Sequence, residues 1–257
     1  LTALQWGAGD SHRDGRSVLI AEFSSGFQLV YKPRSLAVDV HFQELLIWLN
    51  NKGNHPPFKI LKVLDCGSYG WVEFVQYNEC NTIQEVELFY ERQGGYLALL
   101  YALGACDFHY ENLIAAGEHP VLVDLESLFH PHFETTTLRG SDLLASNKMA
   151  YSVLSVGLLP QRISIDSKFE EIDISGLGFT EGQLTPYLVP YWQGTGTDEM
   201  QLKRKQIEMQ GEQNRPTLDG KVTDVLTYTD SLETGFVNVY QLLFQNREEL
   251  VAENGLL

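Results

Sequence analysis

The chain has 257 residues, 44% apolar and 20% charged, a globular composition rather than a disordered one. Lys and Arg number 18 against 34 Asp and Glu, a formal net charge of −16, which argues against general binding to nucleic acid or an anionic membrane, since both demand a broad basic surface. No apolar run approaches the roughly 18 residues of a membrane span and no signal-peptide pattern opens the chain. Cys66, Cys80 and Cys106 are odd in number and lack zinc-ligand spacing, so a reducing compartment is expected.

The charge is uneven. Residues 1–34 carry Arg13, Arg16, Lys32 and Arg34 against three acids, a net of +1, leaving −17 for the rest. If the protein handles phosphate, the N-terminal stretch is where positive charge is available. The start at Leu1 and the end at Gly255-Leu256-Leu257 lead us to expect a piece of a longer protein.

In chain order, 17–23 and 27–32 are strand-like runs separated by Ser24-Ser25-Gly26. Val38, Phe42, Leu45, Leu46 and Leu49 predict an amphipathic helix over 36–50, ended by Asn50-Asn51-Lys52-Gly53 and Pro56-Pro57. Strands are expected at 59–65 and 71–77, and a long helix over 83–104 despite Gly94 and Gly95. Short strands at 112–116 and 121–125 flank Gly117-Glu118-His119-Pro120. A helix is expected around 140–157, irregular β-like stretches over 160–193, and a charged helix near 198–213. The last element is an amphipathic helix at 229–252 that buries Leu232, Phe236, Tyr240 and Leu243. This order predicts an α+β fold, with a β-rich N-lobe over 1–77, a larger helical C-lobe over 78–257, and a bend near Glu73–Tyr77.

The densest chemical signal lies in 105–131. A phosphotransferase needs a carboxylate to orient the acceptor hydroxyl and take its proton, and oxygen ligands for the Mg²⁺ that neutralises a triphosphate. In kinase-like folds the base Asp precedes a metal-binding Asn by five residues, and a second metal-binding Asp follows a short hairpin. Here Asp107 precedes Asn112 by five residues and Asp124 follows twelve later, with His109 and Glu126 alongside. An ordinary hydrogen-bonded hairpin is the competing explanation. Lys32 ends a strand on the same face as Val30, placed to reach an α- or β-phosphate, and Glu44 is its natural ion-pair partner on the following helix. The stretch from Gly7 to Arg16 is Gly-rich and holds Asp10, His12 and Arg16, but it has neither the Walker A pattern nor the protein-kinase glycine pattern. His130 and His132 make at best a weak metal pair, and no GxSxG or HExxH motif is present.

These residues resemble a known family. WGAGDSHRDGRSV, LVYKPRSLAVD, DFHYENLIAAGEHPVLVDLESLF, SVLSVGLLP, DISGLG and GTDEM resemble the dehydratase domain of the class II lanthipeptide synthetases, the LanM enzymes, over nearly the whole chain. The resemblance implies a kinase-like core related to lipid kinases. It implies phosphorylation of Ser and Thr in a precursor peptide (a leader plus a Ser/Thr-rich core) with ATP and Mg²⁺, then elimination of phosphate to dehydroalanine or dehydrobutyrine.

By position in the motifs, Asp107 resembles the catalytic carboxylate, with His109 beside it. Asn112, Asp124 and Glu126 resemble the metal and phosphate-handling set, and Lys32 the ATP-contacting lysine. Asp10 and His12 resemble a polar pair linked to elimination. Partners implied are the precursor peptide and a C-terminal zinc cyclase domain, in the bacterial cytoplasm beside a membrane export complex. The family's elimination step also uses an Arg and a Thr expected beyond the helix carrying Gly235, Phe236 and Tyr240, past Leu257, so this segment is expected to phosphorylate and to eliminate poorly. The alternatives are another kinase-like phosphotransferase and a non-catalytic module that only binds the precursor peptide.

Overall fold

The computed structural model describes residues 1–12, 16–130, 147–164, 169–211 and 213–257, with backbone alone for 7–12 and 16. Strands β1 (Ala3–His12), β2 (Arg16–Glu22), β3 (Gln28–Lys32), β4 (Val63–Asp65) and β5 (Gly70–Glu73) form one antiparallel sheet in the order β1-β2-β3-β5-β4. The Gly-rich stretch does not precede the first strand as a loop: up to His12 it is the second half of β1, paired back onto β2. The register shifts between Trp6 and Ser11, where glycines admit an irregular ladder. The strand expected over 59–65 shrinks to three residues, and that over 71–77 to Gly70–Glu73.

Between β3 and β4 runs helix α1 (Ala37–Lys52). Its start is held by Asp65, whose Oδ1 accepts from the Leu36 amide at 2.9 Å and the Gly67 amide at 3.1 Å. These bonds, that from Leu36 first, hold the Asp65 carboxyl below its usual range. Phe42, Leu45, Leu46 and Leu49 are buried, as the periodicity predicts, and they join the main core.

That core is built on helix α2 (Ile83–Ala102) and helix α3 (Thr229–Gln245), with a one-turn helix α4 (Arg247–Leu250) after it. Thr82 caps α2 by accepting from the Glu85 amide at 3.2 Å, and the Glu85 carboxylate accepts from the Asn81 amide at 2.7 Å. Gly94 and Gly235 are where α2 and α3 cross. A Cβ on Gly94 would overlap the Leu232 carbonyl, and one on Gly235 the Glu91 carbonyl. The two glycines therefore let main chain meet main chain, and the packing gained there offsets their weak helix propensity. On α3 it is Gly235, Val239 and Leu243 that are buried. Leu232 and Phe236 are partly buried, and Tyr240 stays 40% exposed, stacked on Phe236 at 5.6 Å, a correction to the expected buried stripe.

After α2 the chain forms the hairpin β6 (Leu113–Ala116) and β7 (His119–Leu122), with Ala116 opposite His119. Its turn is only Gly117-Glu118, so Pro120 lies in the strand. The pairs β8 (Arg162–Ile163) with β9 (Ile172–Asp173) and β12 (Thr217–Leu218) with β13 (Lys221–Val222) are short. The charged helix expected near 198–213 is instead strand β11 (Gln201–Lys205), antiparallel to β10 (Val189–Gln193). Glycines at 194 and 196 with positive φ close the turn between them, and side-chain charge alone did not reveal the strand. Of the helix expected over 140–157, residues 147–150 are helical and Val153–Val156 is a 3-10 turn, while 140–146 lie outside the described residues. The fold is α+β. Among the described residues no helix is long and apolar enough to cross a membrane.

Gly94→Ala is expected to destabilise the protein by about 2 kcal/mol, although helix propensity alone favours the change by nearly 1, because the new methyl has only a carbonyl to meet. The midpoint of urea unfolding measures it. Burial pushes the Tyr90 phenol up to about 12 from an ordinary value of 10.0. The proton is thus held more tightly in the folded state, so this contribution to stability is full below pH 10 and is lost as the pH rises towards 12. Unfolding midpoints, with phenolate absorbance as the check, should fall across that interval.

Candidate active site

Three segments build the site: the end of β3, the start of α1, and both ends of the β6–β7 hairpin. Lys32, the last residue of β3, is buried at 9% exposure and not the solvent-facing lysine that a strand end ordinarily carries. Its Nζ donates to the Val123 carbonyl at 2.5 Å and stands 3.6 Å from Asp39 Oδ1. Burial lowers the Lys32 pKa, Asp39 opposes the fall, and Arg34 adds to it. The ion-pair partner is therefore Asp39, in the first turn of α1, and not Glu44. Glu44 lies on the exposed face of the helix and pairs with His41 at 2.8 Å. Asp39 is buried on the same side as Phe42 and Gln43, so the helix phase that buries the apolar stripe turns Asp39 inward and Glu44 outward.

Arg34 joins the same cluster. Its NH1 donates to Asp39 Oδ2 at 2.6 Å, its Nε meets Glu126 Oε1 at 2.5 Å, and its NH2 lies 3.5 Å from Asp124 Oδ1. Burial works against the guanidinium charge, but the bond to Asp39 and the fields of Asp39, Glu126 and Asp124 outweigh it and hold the pKa above its ordinary value. Arg34 and Asp39 were missed in the sequence. The signal was present in the spacing, since Arg34 follows Lys32 by two positions and Asp39 opens a helix whose other inward residues are apolar apart from Gln43.

The hairpin ends carry the remaining residues. Asn112 and Val123 face each other just beyond the β6–β7 ladder, the Val123 amide donating to the Asn112 carbonyl at 3.1 Å. Asn112 therefore sits across from the residue whose carbonyl holds Lys32, with Asp124 next in the chain. Asn112 Nδ2 donates to the Asp107 carbonyl at 2.9 Å and lies 3.3 Å from His109 Nε2, so its Oδ1 is left to accept. His109 Nε2 is 3.9 Å from Asp107 Oδ1, and its Nδ1 accepts from the Glu111 amide at 3.3 Å.

Asp107 has φ 65°, in the left-handed region that Asp enters more readily than most residues. Its side chain is 71% exposed. The backbone around it is held from two sides: Phe108 N donates to the Val156 carbonyl at 3.0 Å, and Tyr110 N to the Ile174 carbonyl at 3.2 Å. The second support is itself fixed by Asp173, whose carboxylate accepts from Ser175 N and Oγ (2.9 and 2.6 Å) and from Gln161 N at 2.9 Å. DISGLG and SVLSVGLLP thus act as the buttress behind Asp107 and His109. A cavity of about 750 Å³ opens on this side, lined by Asp107, His109, Leu154, Gly157, Gln161 and Ser175 among others.

The structure brings Lys32, Asn112, Asp124 and Glu126 to one seam and places Asp107 and His109 along the same hairpin end. Glu44 is not part of it. The side chains of Asp10, His12 and Arg16 lie outside the described residues, as does His132. Among the described residues no three of His, Cys, Asp and Glu converge as a metal-ligand group. The donor set nonetheless fits Mg²⁺, which takes hard oxygen ligands and asks a protein for only one or two carboxylates, the rest coming from water and phosphate. Asp124 and Glu126, 41% and 44% exposed, and the Asn112 amide oxygen answer that need. A buried Arg34 NH2 without a hydrogen-bond partner, beside the buried Lys32 ammonium, suits an anionic ligand.

Over 256 residues, 95% of its length, the chain is 27% identical to the lacticin 481/lactococcin biosynthesis protein LcnDR2 of Lactococcus lactis subsp. lactis. It spans 27% of that protein. This likeness bears out the resemblance to the class II lanthipeptide synthetases. The family described as "Domain of unknown function (DUF4135)" matches residues 1–257. The chain belongs to that DUF4135 family, which takes in its sheet, its hairpin and every residue of the seam between them.

Proposed function

We propose that the chain is a phosphotransferase domain in lanthipeptide maturation, phosphorylating Ser and Thr hydroxyls of a precursor peptide with ATP and Mg²⁺ as the first half of a dehydration. The observation that carries this reading is the bond from the buried Lys32 ammonium to the carbonyl of Val123, the residue that faces Asn112 and precedes Asp124. A cation for phosphate and oxygen ligands for a metal come to one place from segments 91 residues apart. The likeness to a lacticin 481 biosynthesis protein supports the substrate class.

In this reading the sheet with α1 is the N-lobe, within 1–77, and 78–257 the C-lobe of a kinase-like core. Bound MgATP supplies the phosphoryl group and a stable ADP leaving group. Asp107 presents an exposed carboxylate that orients the acceptor hydroxyl and takes its proton as the oxygen bonds to phosphorus. His109 stands beside that carboxylate, its Nε2 3.9 Å from Asp107 Oδ1. Lys32 sets its charge against phosphate oxygens, and the negative charge arriving there restores the proton affinity that burial lowers. The cavity beside Asp107 and His109 receives the peptide around the acceptor residue.

Phosphorylation serves the later loss, since phosphate leaves far more readily than hydroxide. Elimination requires a base for the α-proton and positive charge on the departing phosphate. Asp10 and His12 are proposed for that stage.

Asp107→Asn keeps a residue that tolerates positive φ and removes the base. It is expected to lower phosphopeptide formation by about 100-fold or more, while nucleotide binding, measured by calorimetry, stays intact. Mass spectrometry of a Ser/Thr-rich precursor after incubation with ATP and Mg²⁺ reads the first effect, and an unchanged rate would remove Asp107 from the mechanism. Lys32→Met is expected to weaken nucleotide binding itself. A protein that binds precursor peptide but no nucleotide in any form would be the non-catalytic module.

A further inference from the structure

We propose that Arg34 is the resident counter-ion of Asp124 and Glu126, a side chain that competes with a divalent cation for these carboxylates and gives them up when the cation binds. The inference rests on the phosphotransferase reading and goes beyond it, assigning a role to a residue that reading leaves idle.

The contacts divide into two kinds. On its own segment Arg34 is anchored through NH1 to Asp39 Oδ2 at 2.6 Å and to the Ser35 carbonyl at 3.0 Å. Across the seam it meets Glu126 through Nε at 2.5 Å and Asp124 through NH2 at 3.5 Å. The Arg34 and Asp39 side chains are 16% and 6% exposed, whereas Asp124 and Glu126 are 41% and 44% exposed. The anchor is therefore the part shielded from water, and the cross-seam contacts are the part that solvent and ions reach. Releasing the two carboxylates leaves the NH1 anchor to Asp39 in place, and the positive charge left over on Lys32 and Arg34 is then open to an anion.

NH2 adds an independent mark. It is buried and has no hydrogen-bond partner, since its approach to Asp124 is an ion pair too long for a good bond. An incompletely satisfied donor on a buried guanidinium favours any rearrangement that brings it an acceptor. Phosphate oxygens arriving with a nucleotide offer one, in the paired geometry that suits Arg. Arg34 then couples two events: the cation takes the carboxylates, and the guanidinium, still tied to Asp39, turns to the phosphates. Asp124 is charge-compensated with or without metal, and the sheet stays joined to the hairpin in both states.

The test is Mn²⁺ binding without nucleotide, followed by electron paramagnetic resonance, in the unaltered protein, Arg34→Gln and Arg34→Lys. Removing the competing charge is expected to tighten Mn²⁺ binding about fivefold in Arg34→Gln, with Arg34→Lys between the two. The direction is diagnostic, because a merely structural arginine would loosen the site when lost. Circular dichroism establishes that each variant is folded, and Arg34→Lys carries the test if Arg34→Gln does not fold. Equal or weaker Mn²⁺ binding in a folded variant, with the unaltered protein still binding Mn²⁺ and nucleotide together, overturns the counter-ion role alone. Absence of Mn²⁺ and nucleotide binding in every form overturns the phosphotransferase reading and this inference with it.

Discussion

The structure depends on a buried group of charges at the end of β3. Lys32, Arg34 and Asp39 are all largely withdrawn from water, and their desolvation is tolerated because each is bonded to a partner from another segment. A lone buried lysine would lose its proton or unfold its surroundings. Here Asp39 lies within 3.6 Å and the Val123 carbonyl within 2.5 Å. Two cations share one buried carboxylate, so the balance is completed only by Asp124 and Glu126 on the far side. Paired charges and apolar contact together fasten the sheet to the hairpin at this point. The apolar cluster of Leu36, Leu61, Val72, Val75 and Val121 lies beside it and supplies the dry surroundings in which such pairing is strong.

The second constraint is the path of the chain through Asp107. The backbone just after it is bound at Phe108 by Val156 and at Tyr110 by Ile174, two segments that reach it from later in the chain, while the Asp107 carboxylate stays in solvent. A rigid base under an exposed acid is a sensible division for a group that must meet a peptide. Asp173, Ser175 and Gln161 hold the second of those segments. This accounts physically for long motif stretches, DISGLG among them, that carry no evident reactive group.

Much of this was legible in the sequence, and the exceptions have particular causes. Strands β2 to β5 of the sheet, α1, α2 and the polar hairpin follow from apolar periodicity and turn residues, although β4 and β5 are shorter than expected. So does the convergence of Lys32, Asn112 and Asp124, because the hairpin spacing fixes two of them and strand alternation the third. Glu44 was misplaced because helical periodicity ranks positions around an axis without saying which side faces the neighbouring lysine. The buried stripe through Phe42 and Leu46 turns Asp39 inward and Glu44 to His41. β10 falls within the β-like stretch expected over 160–193, but β11 escaped notice because Gln201–Lys205 is exposed throughout, so no alternation marks it. The Gly-rich stretch read as a loop because Gly and Ala carry no strand signal, yet their amides and carbonyls pair as well as any.

The crossing of α2 and α3 has a bearing on how this family can vary. Where two side chains meet, growth of one can be matched by shrinkage of the other, and the pair drifts together through sequence space. At Gly94 and Gly235 the opposing atoms are peptide carbonyls, of Leu232 and Glu91, which no codon change can make smaller. A lost glycine there has no second-site suppressor at the point of contact, and the only remedy is to move a whole helix away from the core it organises.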